Sequence, residues 1–332
     1  MSTAVIVLNW NDWKNTIDCL ESIFQNNEKF DVVFIDNGST YNHFSKIIQW
    51  TKGEIVSNSF FIKPKIKKIG KIIEIKKNFD IQKKNLGNKN LFIIKNKVNY
   101  GLTKGLNIGY KFAIRNNYKY ILRIDNDFII NKNYISQILE TIKKPNIVAA
   151  SPKIMHAYIK NSVWFSGFKM SWSYLKFQRT MNLQKKRVYD NPSLNKIIET
   201  DMVCGCCSAY KVAALRKSGL GDEEIFYGPE DFELSHRLKK IGKIVCNQKI
   251  ITYHKIGRSS SIEKKENRIF QSTYGFLIII KKMGTLSDKL IGYTYINLRL
   301  FFYIVTFRDY KFIRGYFCAI KKFFFNKLWS KS

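Results

Sequence analysis

At 332 residues, with 45% hydrophobic and 15% aromatic side chains, the chain can bury a sizeable core, which excludes a globally disordered protein. Its 57 Lys and Arg against 25 Asp and Glu leave a formal net charge of +32, a field that favours nucleotide phosphates, acidic headgroups or nucleic acid. Much of the excess is Lys interleaved with Ile and Asn, a mix that an AT-rich genome yields without selection for a ligand. No run of about 18 apolar residues exists, so no membrane-spanning helix is expected. Residues 3–9 begin a strand with no signal peptide ahead of it, so the six cysteines are expected to stay reduced.

In chain order, residues 3–9 form a short, nearly continuous apolar run, as expected of a buried parallel strand. Trp13, Ile17, Leu20 and Phe24 follow at helical spacing, with Asp12 or Asn15 as cap. Residues 31–36 read as a second strand ending in the turn signal Asn37-Gly38-Ser39. Strand, helix and strand in that order imply a right-handed parallel crossover. From about 41 to 90 the pattern loosens. Residues 62–84 are nearly all Ile and Lys and read as an insertion, with an exposed hairpin as its expected form. Residues 91–94 are a third strand, and the Gly-rich stretch 99–109 opens a helix running to about Arg115.

Residues 120–124 are a fourth strand, closed by Asp125-Asn126-Asp127. The alternation predicts an α/β domain with a mostly parallel sheet, whose ligands sit beyond the carboxyl ends of the strands. Asn9, Asp36 and Asp125 each close a strand and should meet in one crevice. Further on, residues 148–154 and 201–210 read as strands, and 164–195 as an irregular region over the site. Pro229-Glu230-Asp231 opens a helix ended by Gly242, residues 243–253 read as a strand closing at His254, and the chain is helical, aromatic and basic from about 262.

Four features bear on chemistry. Asp125 and Asp127 at a strand end suit a divalent cation bridging phosphates, although Asp and Asn also favour such turns for their own sake. The glycines at 101, 105 and 109 let backbone approach a ligand and Lys104 could meet phosphate; equally, they allow close packing of helix on sheet. The stretch is not a dinucleotide fingerprint, because the first strand's own turn, Asn9-Trp-Asn-Asp-Trp13, has no glycine. Glu230 and Asp231 at a helix N-terminus are either caps or a general base in the making. His254 is structural or, with one Asp and diphosphate oxygens, a ligand for Mn2+ or Mg2+. Cys204-Gly-Cys206-Cys207 lacks the second pair of a zinc site and reads as small residues packed on a strand.

Taken in order, residues 5–11 with 16–22, then 33–39, 99–109, 125–127, Glu230-Asp231 with Arg237, and His254 resemble family 2 glycosyltransferases of the GT-A fold, in particular bacterial rhamnosyltransferase-like members. Leu102 and Thr103 depart modestly from the pattern, where many relatives carry Phe and Ala. The resemblance implies a Rossmann-like catalytic domain over 1–260, interrupted at about 50–90, and a helical C-terminal region over 261–332. It implies an inverting, metal-dependent hexosyltransferase acting in polysaccharide biosynthesis. The donor would be dTDP-rhamnose or a UDP-hexose and the acceptor a hydroxyl of a surface glycan or lipid-linked glycan. Asp36, with Asn37 and Asn9, would hold the pyrimidine nucleoside, Lys104 and Asn107 would line the nucleotide side, and Asp125 would touch ribose or sugar. Asp127 and His254 would hold Mn2+ or Mg2+. Asp231 would be the base, with Glu230 beside it in the acceptor cleft.

The C-terminal segments 276–282, 300–308 and 323–327 set aromatic and apolar patches beside cations. That suits a helix in an anionic membrane interface, with the protein cytoplasmic and peripheral at the inner face of the cell membrane; the plain alternative is packing on the catalytic domain. A nucleic-acid-binding protein would show a basic, aromatic strand face or a recognised basic motif, and neither is found. An inactive glycan-binding homologue should have lost Asp127, Asp231 or His254, and all are present. A nucleotidyltransferase would carry a Gly-rich basic loop after its first strand.

Overall fold

The computed structural model describes residues 2–57, 59, 69–75, 88–168, 188–255, 265–307 and 310–325. Its first half is built from β1 (Thr3–Asn9), α1 (Trp13–Phe24), β2 (Asp31–Asp36), α2 (Tyr41–Thr51), β3 (Ile72–Ile75), β4 (Leu91–Lys95), α3 (Leu102–Arg115), β5 (Tyr120–Ile124), β6 (Phe128–Ile130) and α4 (Tyr134–Lys143). There follow β7 (Ile147–His156), β8 (Ser162–Phe165), β9 (Val188–Tyr189), β10 (Ile197–Glu199), β11 (Cys207–Lys211), α5 (Val212–Ser218), α6 (Glu230–Lys239) and β12 (Lys243–His254). Three helices end the described residues: α7 (Lys265–Met283), α8 (Leu286–Phe307) and α9 (Tyr310–Phe325).

The sheet runs β10-β12-β7-β11-β5-β1-β2-β4-β3. It is parallel from β5 through β1, β2 and β4 to β3, and again between β7 and β12. β11 is wedged antiparallel between β5 and β7. Both faces are covered, which is why β1 can be buried along its whole length. One face packs against α1, α2 and α4 through Leu20, Trp50 and Ile138. The other packs against α3, α5 and α6 through Leu106, Leu215 and Leu238. The result is the mixed α/β, mostly parallel architecture expected of a GT-A domain, with the helical C-terminal region in place.

Four local readings change. Residues 41–51 are helix α2, buried through Ile47 and Trp50, whose indole N–H donates to Glu21 at 2.8 Å. Residues 72–75 pair parallel to β4 and extend the sheet, and the hairpin expected around them lies outside the described residues. β6 and α4 fill the stretch after Asp127 that the sequence left blank. The strand expected over 201–210 starts only at Cys207. Before it the chain turns, the Cys207 amide donating to the Cys204 carbonyl at 3.2 Å. A Cβ on Gly205 would lie 2.6 Å from the Arg123 guanidinium and 2.8 Å from Asp231, so the chain passes too close there for any side chain. Cys204 and Cys207 are core residues. Among the described residues no group of three or more His, Cys, Asp or Glu side chains is arranged to hold a metal.

Candidate active site

The carboxyl ends of β1 and β2 lie in register, Asn9 opposite Asp36. The Asn9 amide donates to Asp36 at 3.2 Å and to the Ser39 hydroxyl at 3.3 Å. Its carbonyl accepts from Thr16 at 2.9 Å and from Asn126 at 3.3 Å, tying the first strand end to the Asp125–Asp127 turn. Asp36 is fully buried. Burial pushes its pKa up, opposed by the bonds from Ser39 and Asn9. Asn37 organises the next turn, donating to Asn99 and to the Gly101 carbonyl and accepting from Asn96 and the Tyr100 amide. Gly38, at φ +75°, is needed there, because a Cβ would sit 2.3 Å from the Val98 carbonyl carbon.

Arg123 of β5 and Asp125, just past the strand's end, are two residues apart and meet on one side. Arg123 is buried at 3% exposure. Its Nε donates to Asp125 at 3.1 Å and its Nη2 to Glu230 at 3.3 Å. Burial works against the guanidinium charge, but Asp125 and Glu230 outweigh it and keep it cationic. Glu230 opens α6 and also accepts from the Gly228 amide at 3.0 Å. Burial first, and Asp231 second, push it up to about 7. Asp231 accepts one backbone N–H on each oxygen, from Gly205 at 3.1 Å and from Phe232 at 2.8 Å. Its pKa too is raised by burial, with Arg123 pulling the other way.

The antiparallel pairing of β6 with β12 sets His254 opposite Phe128 and so beside Asp127. His254 Nε2 lies 3.2 Å from Asp127 Oδ2, across 127 residues of chain. The imidazole is clamped, stacked on Phe128 at 4.6 Å and met edge-on by Trp164 at 4.7 Å. Its Nδ1 is buried without a hydrogen-bond partner among the described residues. One carboxylate oxygen and one imidazole nitrogen, held side by side on a cleft wall, are a donor pair that fits a divalent cation completed by ligand oxygens.

These elements enclose a cleft of about 340 Å3. Asn9, Asn37, Asp125, Asp127 and His254 line it. Asp36, Glu230 and Asp231 are not among the residues that line it, Asp231 being partly exposed, and Lys104 is exposed, its ammonium 4.8 Å from the Tyr100 ring. Asn107 spends its amide on the Gly221 carbonyl and Glu223, fixing the loop between α5 and α6. That loop brings Phe226 and Tyr227 into the cleft, and the Leu102 amide at the α3 N-terminus donates to the Phe226 carbonyl at 2.8 Å. Trp10, Asn99 and Asn267 of α7 complete the wall. Sequence reasoning missed Phe226, Tyr227, Asn267 and Arg123, and it held Trp10 and Asn99 within its motif stretches without giving them a role. A cation in the middle of the apolar strand 120–124 was the one available signal, since such a charge must find buried partners.

Residues 80–219 match the model of glycosyl transferase family 2. No curated protein matches the sequence. Among solved structures, TarS 1-349 of S. aureus in complex with UDP-GlcNAc is similar at a TM-score of 0.56 and 15% identity, over 97% of this chain and 80% of that one. The mannosyltransferase PcManGT of Pyrobaculum calidifontis, with GDP-Man and Mn2+, gives 0.50 and 12%, over 99% and 88%. GalNAc-T7 with UDP, GalNAc and Mn2+ gives 0.51 and 16%, over 76% and 43%. The chain thus spans less than half the length of GalNAc-T7 and of full TarS, at 43% and 45%.

Proposed function

We propose that this chain, which carries a family 2 glycosyltransferase segment on a GT-A fold, moves a sugar from a nucleoside-diphosphate donor to an acceptor hydroxyl with inversion. One observation carries the reading. Asp125, Asp127 and His254 meet Asn9 on a single cleft at the carboxyl ends of the strands, where this sheet class binds ligands. The donor class that suits Asn9, Asp36 and Asn37 is a UDP- or dTDP-sugar. Asp36, fully buried, supports the pyrimidine side by fixing Asn9 and Ser39. Asp125, pinned by Arg123, faces the ribose or the sugar. Asn107 shapes this side from beneath, by holding the loop that carries Phe226. Lys104 adds positive charge near the mouth.

Asp127 and His254 would hold Mn2+ or Mg2+, which would neutralise charge on the departing diphosphate. Asp231 acts as the base. It takes the proton of the acceptor hydroxyl while that oxygen bonds to the anomeric carbon and the bond from that carbon to the diphosphate breaks. Both oxygens of Asp231 keep a free lone pair beyond their single backbone bond, so one can accept the proton. A raised pKa makes it a stronger base near neutral pH. Trp10, Phe226 and Tyr227 narrow the cleft and keep water from competing. The acceptor class is a glycan hydroxyl.

The test is release of nucleoside diphosphate from UDP- and dTDP-sugars in Mn2+, with an oligosaccharide acceptor mixture. Asp231→Asn should cut turnover by about 100-fold or more while nucleotide binding persists. Turnover at the wild-type rate in that variant removes Asp231 as the base. No release from any donor by folded wild-type protein removes the activity.

A further inference from the structure

The C-terminal helices divide into an inner and an outer part that the sequence did not separate. α7 is an inner helix: Ile278 and Ile279 pack against Phe232 of α6 and Ile225 of the cleft loop. Leu277 and Ile280 face the other way, onto Ile296 and Leu300 of α8 and Phe312 and Tyr316 of α9. This uses one stripe of α8 and leaves the opposite side apolar. Leu286 is 85% exposed and Phe301 67%, and Leu290, Leu298 and Val305 are exposed on the same side. At 100° per residue these positions, with Ser287, Thr294 and Asn297, form one continuous face without a charge, about 30 Å long. A soluble surface rarely carries so extended an apolar strip without a partner. No helix among the described residues is long and apolar enough to cross a membrane.

α9 supplies the charge. Residues 310–325 contain no acidic side chain. On α9 Tyr310, Phe317 and Phe325 are exposed, and so are Lys311 and Lys321. Arg314 is paired with Glu266, and Lys322 lies over the Tyr274 ring at 4.5 Å. The two faces adjoin, because the exposed Phe324 packs edge-on against Tyr293 of α8 at 5.9 Å. An uncharged apolar helix face beside a cationic, aromatic helix matches the layering of an anionic bilayer surface, acyl chains beneath phosphates.

We propose that the outer faces of α8 and α9 are a docking surface for an anionic phospholipid bilayer, with α8 lying in the interface. α7 links this surface to the cleft, through Asn267 in the wall and Lys282 bonded to Asp222 and Glu224 of the cleft loop. The proposal therefore goes beyond the transfer reaction and places the cleft close to the membrane surface.

The experiment is co-sedimentation of the full chain with vesicles of phosphatidylcholine alone and of phosphatidylcholine with phosphatidylglycerol, at low and high salt. Binding should be at least about tenfold stronger on the anionic vesicles and should weaken with salt. Leu298→Asp with Phe301→Asp should reduce it at least about tenfold, and Lys321→Glu should lower the salt-sensitive part. All three positions are exposed, so melting temperature and nucleotide affinity should stay unchanged. The proposal is overturned if folded wild-type protein stays in the supernatant, or if the double variant binds like wild type. A soluble dimer that the double variant dissociates, without vesicle binding, overturns it in favour of a second copy as occupant. Nucleotide binding is read separately, so loss of the transferase reading would leave this result standing.

Discussion

Replacing Arg123 with Met removes a cation from between two carboxylates while keeping most of its volume. Arg123 is 3% exposed and donates to Asp125 at 3.1 Å and to Glu230 at 3.3 Å. Breaking a buried pair from one side costs about 3–5 kcal/mol, because the partner charge stays buried and uncompensated. At roughly 2–4 °C per kcal/mol for a domain of a few hundred residues, the melting temperature should fall on the order of 10 °C. The loss should depend on pH. With the cation gone, Glu230 and Asp231, whose pKa values Arg123 pulls down, hold their protons more tightly in the native variant than in the wild type. Stability relative to wild type must then recover as pH falls. Melts of both proteins at pH 8 and pH 5 check this: a large gap at pH 8 should narrow at pH 5. A gap under about 1 kcal/mol, or one that widens in acid, would refute the view that Arg123 compensates this cluster.

Three further outcomes are expected. Turnover should rise with pH along an acid limb above the ordinary carboxylate range, because the base works only when ionised and burial raises Asp231; a limb at or below about pH 4 would contradict this. Asp127→Ala and His254→Ala should each weaken Mn2+-dependent nucleotide binding by about tenfold or more, with little effect in EDTA, measured by calorimetry. Gly101→Ala should cost about 1–3 kcal/mol in denaturant unfolding and reduce nucleotide affinity. Its φ is +85° and the added Cβ would meet the Phe226 ring at 2.6 Å.

What the sequence disclosed follows from how each element is buried. β1, β2, β4 and β5 were legible because strands covered on both faces are continuous apolar runs with polar ends. α2 was not, since Ile47 and Trp50 are the two residues it buries and its remaining positions are at least partly exposed. β6 is three residues long and borrows its order from β12. The strand ends at Asn9 and Asp125 were readable as one crevice, because parallel topology alone aligns them. The cleft's cover was not: Phe226 and Tyr227 sit on a loop whose position depends on Asn107 and the α3 N-terminus, contacts between segments over 100 residues apart. Likewise the patches at 276–280 and 300–307 look alike in sequence. In the fold residues 277–280 are buried under α6, α8 and α9, while Phe301 and Val305 face outward.

The most direct test of the central claim is calorimetric titration of the purified chain with UDP and dTDP, each with Mn2+ and with EDTA. The account predicts binding of at least one nucleotide that depends on the metal and is lost in Asp127→Ala. Folded protein that binds neither nucleotide, or binds equally well in EDTA, would contradict it.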